Sequence, residues 1–176
     1  MLDPIKAWHE EHTYFRRLLK LLQHEMDAFA CGDTPNFQLM RDIIAYLRDW
    51  ADEYHHPRED EAFRRIARLR PERELAIARL KQEHRVIARA GEQLEKILEE
   101  VEAGDIVPRA QVEIAAATFL VYYGNHISQE EEDILPIAAK LLGSKDWEEI
   151  RAAGPVKGAV PLERFRELRH RIETEI

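Results

Sequence analysis

His55 and Glu59 stand four residues apart, and so do His126 and Glu130. On a helix that spacing puts imidazole and carboxylate on one face, about 6 Å apart, so both can reach one cation. His12 and His84 fall in apolar stripes of their own. A charged carboxylate inside an apolar stripe is costly unless it is paired or bound to a metal. Neutral imidazole with carboxylate suits iron or manganese, with zinc as a further alternative. The candidate metal ligands are therefore His12, His55, Glu59, His84, His126 and Glu130. Two carboxylates with histidines on both sides favour two metals over one.

Glycine and proline delimit the elements that must position these groups. Helices favour Pro at their first position and Gly just past their end. Asp3-Pro4 opens a segment closed by Gly32, Thr34-Pro35 opens one running to about Leu69, Pro71 opens one closed by Gly104, and Pro108 opens one closed by Gly143. Within each, apolar residues recur in steps of three and four, as in Ile77, Leu80, His84, Ile87, Gly91 and Leu94; these are core-facing stripes of amphipathic helices. Short connections force neighbours antiparallel, which predicts an all-α, up-down-up-down four-helix bundle. At about 1.5 Å rise per residue, the six candidate ligands fall within a few turns of one level. A weak repeat supports two hairpins of one design: Glu11-His12 resembles Glu83-His84 at an offset of 72, and His55-x-x-x-Glu59 matches His126-x-x-x-Glu130 at 71. Residues 1–142 form the expected bundle; residues 143–176 form a C-terminal extension with one short helix from Pro161 to about Glu175. That helix carries Leu162, Phe165, Leu168 and Ile172 on one face, suited to docking on the bundle or to building a homo-oligomer.

Composition narrows the function classes. The chain has 176 residues with 34 acidic and 26 basic, a net charge of −8, against a phosphate-binding surface for DNA or RNA. A single cysteine, Cys31, excludes an intrachain disulfide and a cysteine-based zinc or iron–sulfur site. The first residues are charged with no apolar run behind them, unlike a signal peptide, and the near-apolar stretch 114–124 falls far short of the ~20 residues of a membrane helix. The expectation is a cytoplasmic protein with no nucleic-acid or membrane partner. Of the eight histidines, His24 and His170 read as surface residues, and His9 as surface or a neighbour of the site. Trp8, Trp50 and Trp147 read as packing residues. In the acidic run Glu130 to Asp133 only Glu130 is on the inner line.

The order His, His-x-x-x-Glu, His, His-x-x-x-Glu on four helices resembles the hemerythrin-like (HHE cation-binding) family. The wording also resembles its bacterial members: Glu11-His12 before Phe15, His55-His56-Pro57-Arg58-Glu59, Glu83-His84-Arg85, and His126-x-x-x-Glu130-Glu131 with Pro136 beyond. The resemblance covers about residues 5 to 142. It implies a non-haem di-iron centre of two iron ions, with Glu59 and Glu130 bridging and His12, His55, His84 and His126 as terminal ligands. Oxygen-carrying members place two histidines one turn apart on the third helix; here Leu80 and Ala88 flank His84. Four ligating histidines leave an open position, which favours reaction with O2, peroxide or NO over reversible oxygen carriage. Tyr122, Tyr123 or His56 are candidates to fill it. His56 is rotated ~100° from His55, which turns it toward the edge of the site or solvent, whereas a kink at Pro57 could tilt it inward, so both directions stay open. Two functions follow: a di-iron protein binding, reducing or sensing a small oxidant, or a non-enzymatic iron-binding module whose metal loading controls a partner. A ferritin-like oxidase needs two Glu-x-x-His motifs, and only Glu53-x-x-His56 fits in the bundle.

Overall fold

A computed structural model describes residues 4–154 and 162–174. Four helical rods form an all-α bundle. The first is α1 (Pro4–Cys31). The second joins α2 (Phe37–Ala45), a π-helical turn (Tyr46–His55) and α3 (His56–Leu69) end to end. After a short turn at Pro71–Arg73 the third is α4 (Glu74–Glu102). The fourth joins α5 (Arg109–Gln129), a π-helical turn (Glu130–Ile134) and α6 (Leu135–Leu141). No strand occurs among the described residues. The glycine punctuation acts as expected. Gly32 and Gly104 take φ of 91° and 86°, a left-handed conformation that favours glycine. Each lets the next residue, Asp33 or Asp105, bond back to Ala28 or Glu100 at 3.0 Å. Asn36 caps α2, its side chain accepting from the Leu39 N–H at 3.0 Å.

The predicted kink at Pro57 takes a particular form. Proline has no N–H and its ring clashes with the carbonyl four residues back. The chain answers by widening the preceding turns: the His56 N–H bonds to Ala51, five residues back. Pro136 has the same effect in the fourth rod, where the Leu135 N–H bonds to Glu130. The extra residue in the turn resets the inward face of the second rod. Leu47, Ala51 and His55 are buried before the reset, and His56, Glu59, Phe63 and Ile66 after it.

The core is divided in two. One apolar cluster contains Phe15, Leu47, Ala51, Ile87, Phe119 and Ile127; the other contains Trp8, Ala62, Phe63, Leu80 and Ile134. On every rod the candidate ligands fall between members of the two clusters, so they form one polar layer across the bundle. Gly91 on α4 allows close approach of α5: a Cβ there would lie 3.1 Å from the Phe119 ring.

The C-terminal extension differs from expectation in holding two helices, α7 (Ser144–Ala152) and α8 (Leu162–Thr174). Residues Asp146 to Ile150 are long enough, and their Trp147 and Ile150 apolar enough, to bury one face of α7 in the second cluster. Arg65 pins α7 through Asp146 at 2.5 Å and through Glu149. The apolar face of α8, Phe165, Leu168 and Ile172, is buried in the first cluster. Arg171 grips Asp42 of α2 with two bonds of 2.8 and 2.9 Å. Pro161 and Glu175, the expected bounds of α8, lie outside the described residues.

Candidate metal centre

All six predicted side chains meet in the polar layer, and each is buried. Their donor atoms form two groups: His12, His55, Glu59 and Glu130, and His56, Glu59, His84 and His126, with the atoms of each group within 4.8 Å of one another. Glu59 belongs to both. Glu130 also faces the second group, its Oε1 lying 3.2 Å from His126 Nε2 and 3.8 Å from His84 Nε2. The two carboxylates are thus placed between two clusters of imidazoles.

His56 is the addition. It is buried and stacked flat on His84, the ring centroids 3.9 Å apart. The sequence left its direction open between a regular helix, which turns it to the margin, and a kink at Pro57; the π-helical turn ahead of Pro57 brings both His55 and His56 inward. The adjacent proline was the available signal. The other two candidates for a further ligand stay out. Tyr122 is exposed, and the Tyr123 hydroxyl donates to the Leu47 carbonyl at 3.0 Å.

The five histidines share one orientation. Each turns a ring nitrogen, Nε2, toward the centre and sets its Nδ1 against a carboxylate. The pairs are His12–Glu131 at 2.8 Å, His55–Glu11 at 2.6 Å, His56–Asp52 at 3.1 Å, His84–Asp60 at 3.4 Å and His126–Glu83 at 3.2 Å. Such a carboxylate fixes ring orientation and tautomer and raises the basicity of the inward nitrogen. The outer carboxylates are held in turn: Arg58 donates to Glu11, Arg79 to Glu83, His9 contacts Glu131 and Lys81 contacts Asp60. Sequence reasoning missed this outer ring, including Glu131, which it left in a solvated acidic run. The repeat contained the signal. Glu11 and Glu83, each preceding a histidine of one helix, serve histidines of the next rod, and Asp60 and Glu131, each following a glutamate, serve His84 and His12. Trp8 also does more than pack: its Nε1 donates to Glu59 Oε1 at 2.5 Å.

A cation fits this arrangement. Several inward atoms are buried without a hydrogen bond among the described residues: the Nε2 of His56, His84 and His126, Glu59 Oε2 and both Glu130 oxygens. Protein interiors leave few polar atoms in that state, and here they all converge. The donor set, imidazole nitrogen and carboxylate oxygen, is that of a transition-metal site. The charges show the same pull. Burial alone would lower the pKa of His12, but Glu131, Glu59 and Glu130 raise it to about 10. Burial opposes protonation of His126 too, and Glu130 and Glu83 raise it to about 9. Burial works against ionisation of Glu59, yet His55, His12 and His84 hold its pKa well below the usual value. His56 goes the other way, lowered by burial and by His84.

The fold and the site together define a metal-binding four-helix bundle of the histidine–carboxylate type. The hemerythrin HHE cation-binding domain model matches residues 3–138, and the chain belongs to that family. No curated protein matches the chain. The matched span ends within α6, ahead of α7 and α8. No helix among the described residues is long and apolar enough to cross a membrane.

Proposed function

We propose that the centre holds two iron ions and binds or reacts with a small oxidant, O2, peroxide or NO, or senses it. His12 and His55 would hold one metal, His56, His84 and His126 the other, with Glu59 and Glu130 bridging. The observation that carries this reading is the pair of donor groups joined through a shared, fully buried Glu59. Iron bound there supplies redox chemistry and a coordination position for a small ligand. The protein's own groups set where that ligand enters. With Glu130 counted in both groups because it also faces His84 and His126, the His12 and His55 group offers one donor fewer than the group with three histidines. A further coordination position would therefore fall on the His12 and His55 side, where the Trp8 and Phe15 rings each stand edge-on to His55. Trp8 holds Glu59 in place there, and the apolar clusters above and below keep bulk water out.

Anaerobic reconstitution with ferrous iron, followed by metal analysis and visible spectroscopy in the presence of azide, O2, peroxide or NO, tests the proposal. The expected result is about two irons per chain and a ligand-dependent charge-transfer band. Fewer than one iron per chain would sink it. Retention of zinc in preference to ferrous iron when both are supplied would overturn the redox part alone.

A further inference from the structure

The two carboxylates between the imidazole clusters are not held alike. The Trp8 indole N–H donates to Glu59 Oε1 at 2.5 Å, and a hydrogen bond to a charged carboxylate is among the stronger kinds. Oε1 is the oxygen that faces the first group, 2.7 Å from His55 Nε2 and 3.3 Å from His12 Nε2. Glu130 has no such anchor: among the described residues neither of its oxygens has a hydrogen-bond partner. Glu59 is therefore the carboxylate whose orientation is set from outside the ligand set, and Trp8 is the group that sets it.

What holds Trp8 comes in part from beyond the matched domain. Its ring stands edge-on to His55 and to Trp147 of α7, each with centroids 6.1 Å apart, a favoured arrangement of aromatic pairs. Trp147 is itself fixed: it and Ile150 seat α7 in the second cluster, and Arg65 of α3 ties the helix down through Asp146 and Glu149. Beside this contact is a cavity of about 380 Å³ with Trp8, Glu11, His55 and Trp147 in its wall, ample for water. Water there would compete for the Trp8 N–H if the ring could turn, and Trp147 packs against that ring. We infer that Trp147 is a positioning residue for the metal centre: through Trp8 it fixes the carboxylate of Glu59, so α7 is a working part of the centre. This role rests on Glu59 being a metal ligand, as proposed above, and not on which metal or oxidant the centre takes.

Two measurements on the full chain test it. In the metal-free protein, hydrogen exchange of the indole N–H groups is followed by NMR, with Trp8→Phe identifying the Trp8 signal. Trp147→Ala and Trp147→Leu should speed Trp8 exchange about tenfold, and Trp147→Phe, which keeps a ring edge, should restore most of the protection. Ile150→Ala loosens α7 in the same cluster but keeps the Trp147 ring, and should leave the Trp8 rate nearly unchanged. In the loaded protein, cobalt(II) serves as the spectroscopic probe. Trp147→Ala should shift the visible cobalt bands and weaken cobalt about tenfold in competition with a chelator, and Ile150→Ala should do neither. If Trp147→Ala does not fold, Trp147→Leu decides in its place. Trp8 exchange unmoved by the Trp147 variants, or moved equally by Ile150→Ala, would overturn the role of Trp147. So would cobalt bands and affinity that match the wild type, with the metal centre itself left standing. A wild-type chain that takes up no cobalt, zinc or iron would overturn the metal centre, and the role of Trp147 with it.

Discussion

At the scale of single residues, the centre is organised by pairing. Each inward imidazole has a carboxylate behind it, and four of those carboxylates contact a cationic or histidine side chain. Losing a proposed ligand should therefore differ from losing its support. His126→Ala or Glu130→Ala should lower metal content strongly, and His56→Ala should bring it toward one per chain, while His170→Ala, on an exposed position, should leave it unchanged. Metal analysis after reconstitution distinguishes these, and full loading of His56→Ala would remove that residue from the ligand set. Glu83→Ala should keep the ligands and weaken metal binding roughly 10–100-fold, measured by competition with a chelator. The six predicted residues could be identified in the sequence because their spacing alone puts them on inward faces. His56 stayed an open candidate there, because its direction depends on a local departure from the regular helix.

At the scale of elements, two prolines and one glycine control the result. Pro57 and Pro136 each force a widened turn directly beside the ligands, and π-helical turns are often found at functional sites. Gly91 keeps α4 close to α5. Gly91→Leu should crowd Phe119 and lower stability by about 1–3 kcal/mol, read from denaturant unfolding; an unchanged midpoint would mean that α5 shifts freely. The appendage helix α8 is held by its apolar face. Phe165→Ala should destabilise by about 3–5 kcal/mol, with the metal stoichiometry preserved, since Phe165 belongs to the cluster below the site. The helix α7 was overlooked in the sequence because its nine residues show only Trp147 and Ile150 as inward positions, too few for a visible stripe. It forms because those two side chains find the second cluster.

At the scale of the whole molecule, the metal-free protein should carry a pH signature. His12 and His126 titrate at about 10 and about 9 when folded, against 6.5 in the unfolded chain. Their stabilisation is fully present below 6.5 and is lost as pH rises through 9 to 10. The lowered pKa of Glu59 and Glu130 gives stability that is present above 4.5 and lost as pH falls. His56, lowered, adds a loss below 6.5. The melting temperature of the metal-free chain should therefore fall from about pH 6.5 toward 10. Metal replaces those protons, so the loaded protein should be more stable throughout and lose the alkaline decline. Calorimetry of both forms from pH 5 to 10 tests this; parallel curves would mean that the histidines carry no extra protons.

The sequence by itself determined the class of fold and the chemistry of the centre. Apolar periodicity, the Pro and Gly punctuation and the His-x-x-x-Glu spacing are local properties, and they suffice to put four histidines and two glutamates at one level of a bundle. Tertiary structure decided the rest. The outer carboxylates act across helices, so each pairing exists only once neighbouring rods are side by side. The inward turn of His56 follows from how the second rod accommodates Pro57 while keeping both of its apolar faces buried. The docking of α7 and α8 depends on clefts that the bundle creates, and the bonds of Arg65 and Arg171 join residues far apart in the chain. Periodicity records which face of a helix is buried; it cannot record which side chain of another helix will meet it there.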